Sequence, residues 1–234
     1  MKNILAILLF VSTSLSLNAQ YNGNDFAISA NVNYTTSAKI FLTPNAENEL
    51  LRNKNFPIED IISYSLELRY RLSTPIILGL SSEFIKASAD GRNLTSPFFL
   101  VNDGFEILPV EFSVYYYFPF STENFKFFMG GGVGLYFGKH LRNFGDVNFE
   151  HIKSSNGFGI QMSLGMDYLI FDFLSIRSEM RFRDPKFDVT SKYNSDTVFY
   201  KDQFYKVSTD DINTKINIDG ITFRIGAVFH FGLF

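Results

Sequence analysis

Apolar and polar side chains alternate along most of the chain. Between residues 62 and 72 the apolar positions are Ile62, Tyr64, Leu66, Leu68, Tyr70 and Leu72, and the positions between them are Ser63, Ser65, Glu67, Arg69 and Arg71. A period of two residues is typical of a β-strand with one apolar and one polar face. The same pattern predicts eight strands, at residues 26–34, 62–72, 76–84, 110–118, 127–137, 158–168, 174–182 and 221–233.

Short and long connections alternate between these predicted strands. The short links are residues 73–75, 120–124 and 171–172, and the long ones are 37–60, 89–104, 140–156 and 186–219. Outer-membrane barrels have short turns at the periplasmic end and longer loops at the extracellular end. The sequence therefore predicts an all-β fold, an eight-stranded antiparallel up-and-down transmembrane β-barrel with short periplasmic turns and long extracellular loops.

The charged positions distinguish this barrel from the alternative fold, a water-soluble β-sandwich. A sandwich would spread its charges over a solvated exterior, whereas an enclosed interior needs charges that can pair. The polar phase carries five acidic and seven basic residues, and the apolar phase is almost uncharged. We call this predicted set the lumen charge network: Glu67, Arg69, Arg71, Glu83, Glu111, Lys126, Asp167, Arg177, Glu179, Arg181, Arg183 and Arg224. The near balance favours the barrel.

Composition narrows the classes further. The 234 residues are 46% hydrophobic, 17% aromatic and 19% charged, which is too apolar for a disordered chain. The formal net charge of −3 argues against a nucleic-acid partner, which requires a basic face. The chain has no cysteine, so disulfides, Cys-ligated zinc and thiol chemistry are excluded.

The N-terminus has the order of a secretory signal. Lys2 supplies a positive charge, an apolar run begins at Ile4, and Ala19 ends a stretch suited to cleavage. An uncleaved anchor is the alternative, but the run is short for a helical span of about 20 residues. We predict a cleaved signal peptide at residues 1–19, one outer-membrane barrel domain at 20–234, and export to the cell outer membrane.

Two hairpins carry a resemblance to a known family. Residues 110–118 followed by FKFFMGGGVGLYFG (125–138), and residues 165–168 followed by 174–183, are similar to hairpins of small outer-membrane β-barrel proteins, the family of the OmpA membrane domain, OmpX and OmpW. The resemblance implies outer-membrane lipid and the barrel assembly machinery as partners. Such proteins commonly end in a lipid-facing Phe, but Phe234 is one residue out of phase with Phe229, Phe231 and Leu233.

The interior of eight strands is just wide enough for side chains to fill it. Tyr115, Tyr117, Tyr136 and the arginines are the large groups predicted to do so. The glycines at 130–132, 134 and 138 lack the helix and Lys-Ser/Thr of a phosphate loop, so they are expected to make room for these side chains. A largely filled lumen is the first expectation, and a narrow or lateral pathway is the alternative.

Catalysis and cofactor binding have little support. His140, His151 and His230 are scattered, and His151 lies near Ser154 and Ser155 without an evident group to orient it. Three isolated histidines do not make a metal site. The sequence predicts no catalytic residue, no cofactor, no metal and no enzymatic activity, with His230 packed or hydrogen-bonded in the interior.

Two long connections contain aromatic clusters. The second holds Phe98 and Phe99, and the fourth reads as a hairpin over residues 198–207 with a polar tip at 201–203. Its aromatic residues Phe199, Tyr200, Phe204 and Tyr205 join Phe98 and Phe99 as a candidate interaction surface. Packing of the loops against each other is the plainer alternative.

The predicted function follows from these features. The first reading is a non-enzymatic integral outer-membrane barrel with a structural or surface-interaction role and an extracellular or envelope protein partner. The alternative is a narrow, porin-like channel for small or hydrophobic solutes. An accessory barrel for secretion or envelope assembly ranks below both.

Overall fold

The computed structural model describes residues 25–92 and 99–232. The predicted signal peptide, Phe98, Leu233 and Phe234 lie outside these residues. Antiparallel strands make up most of the described chain, which confirms the all-β prediction. One short helix, α1 (Glu49–Arg52), interrupts them. No helix in the described part is long and apolar enough to cross a membrane.

The strands follow one another along the chain in simple order. They are β1 (Phe26–Phe41), β2 (Asn55–Arg71), β3 (Ile76–Arg92), β4 (Leu100–Tyr117), β5 (Phe125–Phe144), β6 (Val147–Ser154), β7 (Gly157–Phe171), β8 (Leu174–Arg183), β9 (Lys186–Tyr193), β10 (Thr197–Tyr200), β11 (Gln203–Lys206), β12 (Ile212–Asn217) and β13 (Ile221–Phe231). The predicted strands correspond to β1–β5, β7, β8 and β13, although predicted residues 72, 118 and 232 lie just past the observed strand ends. The short links are turns of two to seven residues.

Each of these eight strands pairs with two of the others. The pairings run β1–β2, β2–β3, β3–β4, β4–β5, β5–β7, β7–β8 and β8–β13, and β13 pairs with β1. Ala30 on β1 is therefore opposite Leu66 of β2 on one side and Ala227 of β13 on the other. Continuous pairing satisfies the backbone donors and acceptors of β1 along both edges.

The described residues form thirteen strands rather than the eight predicted, because the long connections are themselves largely strand. Strand β1 continues to Phe41, and β2 begins at Asn55, well inside the predicted loop at 37–60. Beyond the ends of β7, β8 and β13, β6 pairs with β9, β9 with β12, and β12 with β1. We call the end of the sheet opposite the short turns the extension; it consists of β6, β9, β12 and the ends of β1–β5 that pair with or pack against them.

We call the part of the sheet near the short turns the lower sheet. Its buried face is mainly polar and its exposed face is apolar, whereas the buried face of the extension is mainly apolar. On β1 the buried positions shift by one between Thr35 and Ala38, and on β2 they shift between Ile61 and Ile58. Asp60 has a φ of 55° at this shift, a left-handed conformation that Asp tolerates better than most residues.

The apolar side chains buried inside the extension form two clusters. The smaller one consists of Val101, Phe144, Val147, Tyr193 and Val198. We call the larger one the apolar cluster: Ala38, Ile40, Phe56, Ile58, Ile61, Ile85, Phe105, Ile107, Tyr136, Phe187, Val189, Ile216 and Ile218. Its members come from β1–β5, β9, β12 and the segment that follows β12. The cluster therefore lies above the polar part of the interior, and its side chains are buried against one another as in the core of a soluble protein.

Candidate functional site

The lower interior contains the predicted lumen charge network. Eleven of its twelve members are buried, and the twelfth, Arg71, is half-buried. Arg177 and Arg181 are fully buried. An ionised side chain without a partner is very costly in such surroundings, so the network has to be judged by its pairing.

One half of the network joins β3, β4 and β8. The Arg183 guanidinium donates to both carboxylate oxygens of Glu83, at 2.7 and 3.1 Å, and its Nη1 lies 3.5 Å from Glu111 Oε1. Arg181 donates to Glu111 and also to Glu179, at 2.9 Å. Two arginines and three carboxylates thus form a continuous chain of charges across the interior.

The other half joins β1, β2, β7, β8 and β13. Arg177 Nε donates to Asp167 at 2.6 Å, and Arg69 lies 3.2 Å from Glu67. Arg224 donates to Glu67 at 3.2 Å, and its Nε donates to an asparagine of β1. Charge-assisted bonds of this kind are stronger than neutral ones.

The core of the network is balanced. Five carboxylates, from Glu67, Glu83, Glu111, Asp167 and Glu179, meet five guanidinium groups, from Arg69, Arg177, Arg181, Arg183 and Arg224. Lys126 lies at the short-turn end, where it donates to the Thr122 carbonyl oxygen. Arg71, the last residue of β2, lies at the same end. A balanced, buried set is the composition of a packed interior.

Aromatic side chains fill the space between the charged groups. Tyr115 and Tyr136 are fully buried, and the Arg177 guanidinium lies 4.0 Å from the centre of the Phe128 ring. A Cβ added at Gly130 would lie 2.5 Å from the Tyr115 ring, and one added at Gly134 would lie 3.1 Å from the Tyr136 ring. These two glycines thus make room for large neighbours, as the sequence predicts, whereas the same prediction is wrong for Gly131, which faces outward.

The extension holds a second polar cluster, which the sequence reasoning missed. Arg142 donates to both carboxylate oxygens of Asp103, at 2.6 and 2.7 Å, and His140 Nε2 lies 3.1 Å from the same carboxylate. The Glu106–Lys139 ion pair lies on the outer faces of β4 and β5, nearer to the short turns than this cluster. The apolar outer surface therefore ends before the level of Asp103, and the cluster lies beyond it. Asp103 and Arg142 are directly opposite across β4 and β5.

The environment of this cluster sets its charges. Burial raises the pKa of Asp103, but hydrogen bonds from His140 and Arg142 outweigh burial and hold that pKa below its ordinary value. Burial lowers the pKa of His140, although the Asp103 carboxylate opposes this effect. The cluster is therefore a carboxylate and a guanidinium beside a neutral imidazole at neutral pH.

Both interior histidines contact buried hydroxyl groups. His140 Nδ1 lies 3.4 Å from the hydroxyl of Thr214, which is fully buried. His230 Nε2 lies 2.8 Å from the hydroxyl of Ser175, which is also fully buried. In the described residues no three His, Asp or Glu side chains are grouped to hold a metal ion.

The structure separates the predicted loop aromatics into two groups. Phe99 packs edge-on against Tyr205, with ring centres 4.9 Å apart, and against Tyr200 at 5.7 Å. Phe199 and Phe204 instead pair on the outer face of the β10–β11 hairpin, where Phe204 is 74% exposed. The predicted hairpin is confirmed, and its turn residues 201 and 202 have positive φ.

A cavity of about 490 Å³ opens between this hairpin and the extension. Its lining residues are Leu42, Thr43, Phe99, Arg142, Phe144, Tyr193, Tyr205, Lys206, Val207, Ser208 and Ile212. Most of the wall is aromatic or aliphatic, and Arg142 and Lys206 are its charged members. The sequence signal for this site is weak, because its residues come from six separate segments of the chain.

Comparison with known proteins identifies the fold. No family model and no curated protein matches the sequence. The crystal structure of the outer membrane protein OprG from Pseudomonas aeruginosa is similar, with a TM-score of 0.65 and 15% identity over 92% of this chain and 100% of that one. The solid-state NMR structure of the outer membrane protein AlkL in lipid bilayers has a TM-score of 0.55 and 18% identity, over 93% and 95%. The fold is that of small outer-membrane β-barrel proteins.

Proposed function

We propose that the protein is a non-enzymatic integral outer-membrane protein, an eight-stranded barrel whose interior is sealed. Barrel closure is supported by the pairing of β1 with both β2 and β13, which leaves neither edge of β1 open in the lower sheet. A closed sheet satisfies every backbone group within a bilayer, where an open edge would be very unfavourable.

A lipid environment is supported by the outer surface. Large apolar side chains such as Leu66, Phe112 and Ile160 are between 45% and 67% exposed, and they recur on every strand of the lower sheet. A continuous apolar surface of this extent marks a membrane or partner interface. Charged residues return outside at the level of Lys86, Glu106 and Lys139, which would be the extracellular edge of the band.

The sealed interior rests on one observation, the balanced and buried charge network. A water-filled pore would leave its lining charges hydrated, but these side chains are buried and contact one another. The apolar cluster fills the interior at a second level, in the extension. The geometry therefore favours a filled lumen over a narrow channel.

Planar-bilayer conductance tests this proposal. The refolded protein should give no discrete current steps, and neither should a variant in which the exposed pair Asp184 and Lys186 is replaced by Asn and Gln. Wild-type steps that change in size or ion preference when Arg177, Arg181 and Arg183 become Ser would overturn the sealed interior and establish a channel.

A surface role is supported by the outer face of the β10–β11 hairpin. Phe199 and Phe204 are the exposed aromatic pair there, and the Phe199 amide is anchored by Asp146 at 2.8 Å. Cells that display the protein should adhere to a hydrocarbon phase more than cells that display Phe199→Ser/Phe204→Ser. Equal adhesion at equal surface expression would remove the support for this role.

A further inference from the structure

We propose that the cavity between the β10–β11 hairpin and the extension binds a small amphiphilic monoanion. Such a ligand has a single carboxylate on an aromatic or branched hydrocarbon body. This inference concerns the outer end of the molecule and does not depend on whether the lumen conducts. It rests on the size of the cavity, the sign of its charges and the chemistry of its walls.

The size suits a small organic molecule. A volume of about 490 Å³ falls inside the usual range of ligand pockets, about 300–1,000 Å³. The walls are held from several sides rather than by one mobile segment. Leu100 N–H donates to the Tyr200 hydroxyl at 3.3 Å, and Val207 N–H donates to the Asp196 carbonyl oxygen at 2.9 Å.

The charge favours an anion. Arg142 and Lys206 line the cavity, and no carboxylate does so among the described residues. Asp103 contacts Arg142 through Nε and Nη2, which holds the guanidinium in one orientation. Asp103 also raises the pKa of Arg142 above its ordinary value against the effect of burial, so the guanidinium stays charged.

The same pairing limits the ligand to one negative charge. Two of the guanidinium nitrogens already donate to Asp103, so Arg142 cannot offer the open fork that a phosphate or sulfate group prefers. Lys206 adds a second, flexible cation at the rim. One carboxylate between these two groups matches the available charge.

The walls require an apolar body. Phe99 lies between Tyr205 and Phe144, with ring centres 4.9 and 5.3 Å away, and Tyr193 and Ile212 complete the enclosure. Aromatic surfaces of this kind stack on a flat ring or pack against branched hydrocarbon. A fully polar anion would lose hydration here without gaining contacts.

Binding of 2-naphthoate to the full chain in nanodiscs tests the proposal, with the neutral analogue 2-naphthalenemethanol as the matched probe. Titration calorimetry, corrected with empty nanodiscs, should give saturable binding of naphthoate and at least fivefold weaker binding of the alcohol. Equal affinity for the two probes, or no saturable naphthoate binding, would overturn the proposal.

Two variants locate the site. Lys206→Gln should weaken naphthoate about threefold, in line with an exposed ion pair. Lys201→Gln removes the same charge from the same hairpin outside the cavity and should change nothing. Asp103→Asn/Arg142→Gln keeps the buried charge balanced and should weaken binding at least tenfold, in protein shown to be folded by its gel mobility. If neither Lys206→Gln nor this double variant differs from Lys201→Gln, the cavity is not the site.

Discussion

Replacing Arg181 by Met tests whether the interior is held by paired charges. The guanidinium is fully buried and lies against Glu111 and Glu179. Removing one partner of a buried pair costs about 3–5 kcal/mol, because a charge is left uncompensated. Here Glu111 keeps Arg183 at 3.5 Å and Glu179 keeps Arg224 at 3.7 Å, so we expect a loss near the lower end, about 3 kcal/mol.

The double variant Arg181→Met/Glu111→Gln gives the sharper test. It returns the core of the network to equal numbers of acids and bases, four of each by subtraction from five. Its loss of stability should therefore be smaller than the sum of the two single losses, by about 2 kcal/mol. As a surface control, Lys186→Met removes an ion pair whose side chains are more than half exposed and should cost under about 1 kcal/mol.

The assay is urea unfolding of the refolded protein in lipid vesicles. The chain has no tryptophan, so circular dichroism and the mobility of unheated samples in gels serve as the two probes. Strictly additive losses in the double variant would refute the reasoning, because independent side chains do not couple. A loss for Arg181→Met no larger than that for Lys186→Met would refute it as well.

Three further outcomes are expected. Gly130→Leu should destabilise by about 1–3 kcal/mol in the same urea assay because its side chain would enter occupied space, whereas Gly131→Leu, on the outer face, should be near neutral. Phe105→Ala should cost about 3–5 kcal/mol by opening the apolar cluster, whereas Phe204→Ala should cost under about 0.5 kcal/mol. Burial lowers the pKa of His140 in the folded state, so as the pH falls the imidazole is protonated in the unfolded state before it is protonated in the folded state. The free energy of unfolding should therefore fall as the pH drops below about 6.5. His140→Gln should remove that part of the fall, and an unchanged pH profile would contradict this account.

The sequence predicted the lower sheet because two solvents impose opposite demands on its two faces. Lipid requires apolar side chains outside, and the enclosed interior requires polar ones that pair. The result is a strict period of two over long stretches, such as residues 62–72 on β2. Gly130 and Gly134 of β5 were also interpretable, because side-chain-free positions on the inward face of a strand imply large neighbours.

The extension was missed because the same period of two has the opposite meaning there. Ile40 and Phe56 alternate with polar residues as Leu66 does, but they face inward and Leu66 faces outward. The pattern alone does not say which face is enclosed. The local marks of the change are the breaks in phase on β1 between Thr35 and Ala38 and on β2 near Asp60. Neither break, nor the left-handed conformation of Asp60, can be recognised from the sequence alone.

The Asp103 cluster was missed for a different reason. Its members are 37 and 39 residues apart and meet only through the register of β4 and β5. The sequence reasoning placed both segments in loops, so it assigned them no register. His140 consequently looked isolated, although the strand pairing places it beside a carboxylate and a guanidinium.

The two interior layers together explain why the proposed seal would hold against solutes of either kind. An ion that entered from the extension would lose its hydration at the apolar cluster, where no charged group replaces the water. A hydrocarbon that passed the cluster would meet the charge network and would have to separate ion pairs such as Arg177–Asp167 from each other. Because each layer excludes what the other tolerates, opening a path requires that both be disrupted. Single substitutions in either layer should therefore change stability without creating conductance.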